Sequence, residues 1–364
     1  MTEKIKSKLI ALYLPQYHPT QRNDEWWGKG FTEWTNVGKA KSLFPGHYQP
    51  HIPADLGYYD LRLNEVRKAQ ADMAKEYGVY GFCYYHYWFE NGFEELERPF
   101  DEVVKLGEPD FPFCLCWANE TWYSKFWNMD GTISKLPLAE QKYLGEKDNE
   151  AHFYRLLPAF KDKRYIKKDG RIVFVIYKPL EFIGWSEFAD QWNKLAKDNG
   201  LKGFYFIGYT CDIEKQYERI KSLGYDEIIS CRLYQTGKNV DLLHRIIHKL
   251  QRVIFKYPII RNYAECYKEF IGNEEKRNDV IPTLIPNWDH TPRSKRGGLV
   301  YINATPENFE KHVKDVGEII KPKDTEENFC FLKSWNEWGE GNYVEPDLKY
   351  GKGFLDILSK YFKK

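Results

Sequence analysis

Phe329-Cys330-Phe331-Leu332-Lys333-Ser334-Trp335-Asn336-Glu337-Trp338-Gly339-Glu340-Gly341 starts as an apolar run and ends in a turn carrying two carboxylates three residues apart. Short apolar runs bounded by turn residues suit strands buried on both faces, the habit of parallel sheets covered by helices. A sheet of that kind needs partner strands, and seven earlier runs have the same build.

Residues 9–14 run into Pro15-Gln16-Tyr17-His18-Pro19 and a loop over 24–36 dense in polar and aromatic residues. Residues 79–87 end in His86, Tyr87 and Trp88, and 113–117 in Ala118-Asn119-Glu120-Thr121-Trp122. Residues 172–177, 204–209 and 227–233 lead to Lys178-Pro179, Thr210-Cys211-Asp212 and Tyr234-Gln235. Residues 280–286 precede Asn287-Trp288-Asp289-His290-Thr291-Pro292-Arg293, and 329–334 complete the series.

Between these runs, apolar residues recur at helical spacing over 61–77, stopped by Gly78, and over 94–106, 150–160, 186–197, 213–223 and 306–320. The stretch 241–270, broken at Pro258, reads as two helical pieces, and 123–170 is long enough to hold a polar insertion ahead of its helix. Eight strand-then-helix units predict an α/β fold, a (β/α)8 TIM barrel with loop insertions, with an open doubly wound sheet as the alternative. Polar and aromatic strand ends favour the barrel, whose active sites lie on that face. No internal repeat or linker divides the chain, so 1–364 reads as a single domain.

With 54 Lys and Arg against 53 Asp and Glu the net charge is +1, which disfavours a nucleic-acid partner. Phe, Trp and Tyr make up 17% of the residues. Such an excess fits either a carbohydrate groove, where rings pack on sugar faces, or a large barrel that buries its aromatics. The seven cysteines, several in apolar runs, read as buried thiols, and no metal cluster or cofactor motif is evident. The N-terminal run lacks the length and cleavage site of a signal segment, and no later run has the length of a membrane span. The expectation is a soluble cytoplasmic protein, with export on a separate leader left open.

Two carboxylates divide acid and base work when their surroundings push their pKa values apart. Glu337 and Glu340, flanked by Trp335 and Trp338 as barriers to water, are the first candidates. Glu120 competes, since an Asn-Glu pair at a strand end is where many retaining glycosidase barrels hold their acid, about 5 Å from the nucleophile. We read Glu120 instead as a substrate-binding residue. Further candidate contacts are Tyr13, Glu33, Trp34, His86, Trp117, Asn119, Tyr209, Trp288, Asp289 and Asn336, with His18 a weaker one. Asp289 and Arg293 form either a loop-stabilising ion pair or a substrate-orienting one.

The motifs Ala11–Pro19, Trp26–Val37, Cys116–Glu120 and Ser334–Gly341 resemble the WbsX-like proteins of bacterial polysaccharide loci, which look related to the glycoside hydrolase family 99 endo-α-mannosidases and mannanases. The resemblance runs essentially end to end. It implies a (β/α)8 barrel without metal and an α-linked glycan as substrate, of O-antigen, capsule or mannan type. Glu337 and Glu340 match that family's Glu-x-x-Glu pair residue by residue. The first glutamate then removes the proton of the sugar's own 2-hydroxyl, whose oxygen attacks the anomeric carbon to give a 1,2-anhydro sugar. The second acts as acid on the leaving group and then as base toward water. Gly339 stands where the mannosidases carry a bulkier residue. Glycosyltransferase and catalytically silent glycan-binding protein are the competing classes; against the former, there is no Asp-x-Asp motif and no Gly-rich phosphate loop.

Overall fold

The computed structural model describes residues 3–127, 133–237, 253–323 and 328–363. Eight parallel strands form its centre: β1 (Lys8–Tyr13), β2 (Gly81–Glu90), β3 (Phe113–Trp117), β4 (Arg171–Ile176), β5 (Phe204–Thr210), β6 (Glu227–Ser230), β7 (Val280–Leu284) and β8 (Phe329–Leu332). They pair in the order β1-β8-β7-β6-β5-β4-β3-β2, and β2 returns to β1 through Ile10↔Gly81 to Tyr13↔Tyr84. The sheet is therefore a closed (β/α)8 barrel. β8 is the closing stave, lying between β1 (Leu9↔Cys330) and β7 (Thr283↔Phe331).

Helices Asn64–Glu76, Arg98–Leu106, Glu146–Phe160, Trp185–Asp198, Ile213–Ser222, Pro306–Ile320 and Gly353–Phe362 pack outside. Gly78 ends the first of them with φ +86°, and a Cβ there would press on the backbone of Lys363, so this position requires glycine. The expected two helices over 241–270 lie partly outside the described residues; what is described of them includes a strand, Ile259–Asn262, and the short helix Tyr263–Cys266. The helix expected from residue 94 starts at Arg98, because Phe93–Glu95 pairs back on the end of β2. The insertion after β3 contains an antiparallel pair, Trp122–Trp127 with Ile133–Ala139.

Much of the aromatic excess fills the layer between barrel and helices. Trp192 contacts His152, Phe153, Phe160, Phe174, Phe188 and Phe204 there, with ring centroids 4.4–5.8 Å apart. All seven cysteines are free, and six are buried. Among the described residues no helix is long and apolar enough to cross a membrane.

Candidate active site

The stretch after β8 is folded by its own polar residues. Asn336 accepts from Leu14 N (2.8 Å) and donates to Leu14 O (3.1 Å), so its amide extends the pairing of β8 with β1 in place of a backbone unit. Tyr17 donates to Asn336 O and accepts from Trp338 N (3.0 Å). Asn336–Glu337 then pairs antiparallel with Asn342–Tyr343, and the hairpin between them is a 3-10 turn, Trp338–Glu340, closed by Gly341 at φ +55°. Side chains three apart on a 3-10 turn point the same way, so Glu337 and Glu340 emerge on one side.

That side faces a cavity of about 730 Å³ over the C-terminal ends of the barrel strands. Arg293 Nη1 donates to Glu340 Oε1 (2.6 Å) and Glu337 Oε1 (3.3 Å), while its Nε donates to Glu33 Oε2 (3.0 Å). Lys333 Nζ reaches Glu337 Oε2 at 3.2 Å and Tyr85 OH at 3.1 Å, and His290 Nε2 lies 3.2 Å from Glu340 Oε1. Burial and the neighbouring Glu340 charge raise the Glu337 carboxyl above its ordinary range. Burial acts on Glu340 in the same sense but is outweighed by Arg293 and His290, so Glu340 is held well below that range. The two titrate as a pair, with Glu337 pushed up and Glu340 held down.

Of the residues expected at the site, Glu33, Glu120, Tyr209, Trp288, Glu337 and Glu340 line this cavity. Glu120 lies 3.9 Å from Lys178. The others are placed elsewhere. Tyr13 donates to Gln70 on the outer helix (2.7 Å), His86 shares a 2.7 Å contact with His152, and Trp117 Nε1 donates to Trp88 O (2.9 Å). Successive strand residues face opposite sides, and these three point outward into the helix layer. His86 is accordingly held neutral, its pKa lowered to about 3 by burial. Buried His18, lowered to about 4 for the same reason, is also away from the lining.

Asn119 clamps Lys178 through both backbone groups (2.8 and 3.1 Å), and Asn336 clamps Leu14. Trp34 donates to Tyr59 O (2.8 Å). Asp289 does not pair with Arg293. It accepts from His47, Gln49 and Thr291 at 2.6–2.9 Å, which pins the loop after β7, while Arg293 turns to the glutamates. Trp335 and Trp338 do not screen the carboxylates either: the first packs on Phe82 (5.2 Å) and the second stacks on Tyr343 (3.7 Å).

The sequence profile described as "Glycosyltransferase WbsX" matches residues 9–358. The chain belongs to the WbsX family. It is 32% identical over 364 residues to WxcX, an uncharacterised protein of Xanthomonas campestris pv. campestris found in two strains; the match covers 98% of this chain. The chain spans about half the length of those curated relatives, 50%. Among solved structures, a GH99 endo-α-mannosidase from Bacteroides thetaiotaomicron superposes with TM-score 0.54 at 15% identity, covering 98% of this chain and 96% of that one. The same enzyme in complex with bis-tris propane gives 0.53 at 15% identity, over 98% and 95%. A glycoside hydrolase-like protein gives 0.58 at 14% identity, over 100% and 95%. At such identities the likeness concerns the fold, and the WbsX barrel is that of the endo-α-mannosidases.

The WbsX cavity is also lined by Tyr85 and Tyr87 on β2, Tyr177 after β4, Tyr234 after β6 and Lys333, none of them among the expected contacts, and by Arg293, expected only as the partner of Asp289. Tyr177 stacks on Tyr209 with centroids 4.7 Å apart, a flat aromatic wall. Period-two reading of β2 separates Tyr85 and Tyr87 from outward-facing Tyr84 and His86. Local sequence marks Arg293 only as a partner for Asp289, not for the glutamates.

Behind the turn, Glu345 accepts from Trp338 Nε1 (2.7 Å), Gln70 Nε2 (2.7 Å) and Tyr59 OH (2.8 Å), and burial raises its carboxyl to about 7. An acid with a raised folded-state pKa favours its protonated form in the fold. Its contribution to stability is thus fully present below the ordinary glutamate pKa and is lost as the pH rises through 7. Relative to Glu345→Gln, the native protein loses on the order of 2–3 kcal/mol of unfolding free energy between pH 4 and pH 8. Urea unfolding of both forms at the two ends of this range reads the difference; parallel pH dependences would remove the assignment.

Proposed function

We propose that this WbsX protein is a retaining glycoside hydrolase acting on an α-linked glycan of a bacterial polysaccharide, of O-antigen, capsule or mannan type. The observation that carries it is the contact of one guanidinium nitrogen with both Glu337 and Glu340 at the cavity floor. Because Nη1 touches both Oε1 atoms, those oxygens are no more than about 6 Å apart. Inverting enzymes hold their carboxyls about 6.5–9.5 Å apart to admit a water between carboxylate and sugar, and a closer pair disfavours that route.

Glu337 takes the proton of the sugar 2-hydroxyl as O2 closes on C1. The bond from C1 to the leaving oxygen breaks, and Glu340 gives that oxygen a proton. In the return step Glu340 takes a proton from water, whose oxygen opens the 1,2-anhydro ring at C1, while O2 regains its proton from Glu337. Each step needs one proton on the pair, and sugar entry must move it from Glu337 to Glu340 by freeing Glu340 from Arg293. Glu120, Tyr209 and Trp288 bind the sugar around the bond, with the Tyr177–Tyr209 wall offering a ring face.

The test is incubation with α-linked bacterial polysaccharides, following the first anomer released by NMR. Retained configuration, and no cleavage of a substrate whose cleaved sugar is 2-deoxy, are the expected results. An inverted first product would overturn the reading. Stabilisation by a nucleotide sugar without any release of reducing ends would favour a transferase instead.

A further inference from the structure

Arg293 has no place in the two-carboxylate scheme, yet it stands at its centre. It projects from the short helix Thr291–Ser294 that follows β7. Glu33 holds its Nε from the loop after β1, and Nη1 touches both glutamates after β8. Glu33 gets there only because residue 339 has no side chain: a Cβ on Gly339 would overlap Glu33 Oε2 and lie 3.1 Å from Arg293 Nε. Glu33 is 3% exposed and itself accepts from Asn36 Nδ2 at 3.3 Å. The anchor is therefore fixed, while Nη1 is the end that faces the reacting space.

A glycosidase transition state carries positive charge at the anomeric carbon, between the two carboxylates. The positive charge that the structure places between them belongs to Nη1. We propose that Arg293 is a tethered stand-in for the sugar cation: Glu33 fixes its Nε, and its Nη1 end fills the gap between Glu337 and Glu340 until a ligand displaces it. The guanidinium neutralises two carboxylates that otherwise repel each other in a buried site, and it keeps them at working distance. Displacement by a sugar rests on the hydrolase reading. Exchange against another small cation does not.

The site should therefore discriminate against external cations while Arg293 is in place and accept them when its charge is gone. The probe is bis-tris propane, titrated by calorimetry at neutral pH into the native protein and into Arg293→Met, which keeps bulk and loses charge. We expect the amine to bind at least about tenfold more tightly to Arg293→Met, because Glu33 and Glu340 then lose their guanidinium and Glu337 keeps only Lys333, which leaves the buried carboxylates with an excess of negative charge facing the cavity. Glu33→Gln keeps the arginine and loosens its anchor, so it should show a smaller gain in the same direction. It also serves where Arg293→Met does not fold.

Damage to the fold alone predicts weaker binding, not tighter. Unchanged or weaker amine binding in both folded variants overturns the proposal. Tighter binding with no hydrolysis of any glycan sustains the tether and sinks the hydrolase reading. Hydrolysis with no gain in cation affinity does the reverse.

Discussion

Glu337→Gln and Glu340→Gln each lower glycan hydrolysis by about 10²–10⁴-fold, the range that positioned proton transfer supplies. Glutamine keeps the shape of the side chain and an oxygen for Arg293 or Lys333, so what is lost is the capacity to exchange a proton. The two losses differ in kind. A substrate with an acidic leaving group needs no protonation, so it restores much of the first step to Glu340→Gln and none to Glu337→Gln. The double variant falls little below the worse single one, as happens when two groups act as a unit. Glu340→Gln keeps near-native thermal stability, because the guanidinium still touches Glu33 and Glu337, whereas Glu337→Gln loses some, because buried Lys333 then faces an amide. Release of reducing ends, measured beside thermal unfolding, decides the matter. Turnover in either variant within a few-fold of native would remove the pair from the chemistry.

Gly339→Ala, a change of one methyl group, produces the second large effect. Gly339 has no positive φ, so its backbone accepts alanine without strain. The new Cβ instead occupies the place of Glu33 Oε2. Overpacking of this kind costs about 1–3 kcal/mol, and a buried charge pair broken on one side costs about 3–5 kcal/mol. Since Glu33 leaves Arg293 in the process, amine affinity rises and hydrolysis falls together. Glu33→Ala in the same chain removes the clash, so the double variant is more stable than the sum of the single changes predicts, by on the order of 1–3 kcal/mol. Additive losses, read by urea unfolding of all four forms, would show that the methyl group meets something other than Glu33. The contacts of Gly339 tie it to Glu33 and the arginine.

The barrel was legible because parallel strands covered on both sides leave long apolar runs, and each run here ends in residues unsuited to a core. The boundaries moved where a neighbour competed: Phe93–Glu95 pairs with the end of β2 and delays the helix to Arg98. In the cavity, parity decided much of the outcome. Tyr13, His86 and Trp117 lie at the right height and on the wrong side of their strands, whereas Tyr85, Tyr87 and Tyr209 lie on the inner side. The alternation along β2 contained that information, but a fully buried strand shows no polar face by which to set its phase. Asn119, Asp289 and Asn336 look like ligand-binding residues because amides and carboxylates bind sugars; here they hold backbone or loops. Arg293 was legible only as a partner for nearby Asp289, since its actual partners lie at positions 33, 337 and 340 and meet it only when the barrel closes.

The closing stave ties manufacture to function. β8 is translated last of the barrel strands, and within a few residues of its end come Glu337, Glu340 and the Asn336 clamp on Leu14. A ribosome that stalls before Phe329 releases a product with β1 and β7 unpaired at their edges, the surface on which other chains add as strands. The same product lacks Glu337 and Glu340. An unfinished chain thus has open strand edges and lacks the carboxylate pair, so the defect that exposes it to quality control is also the one that leaves it without the candidate active site.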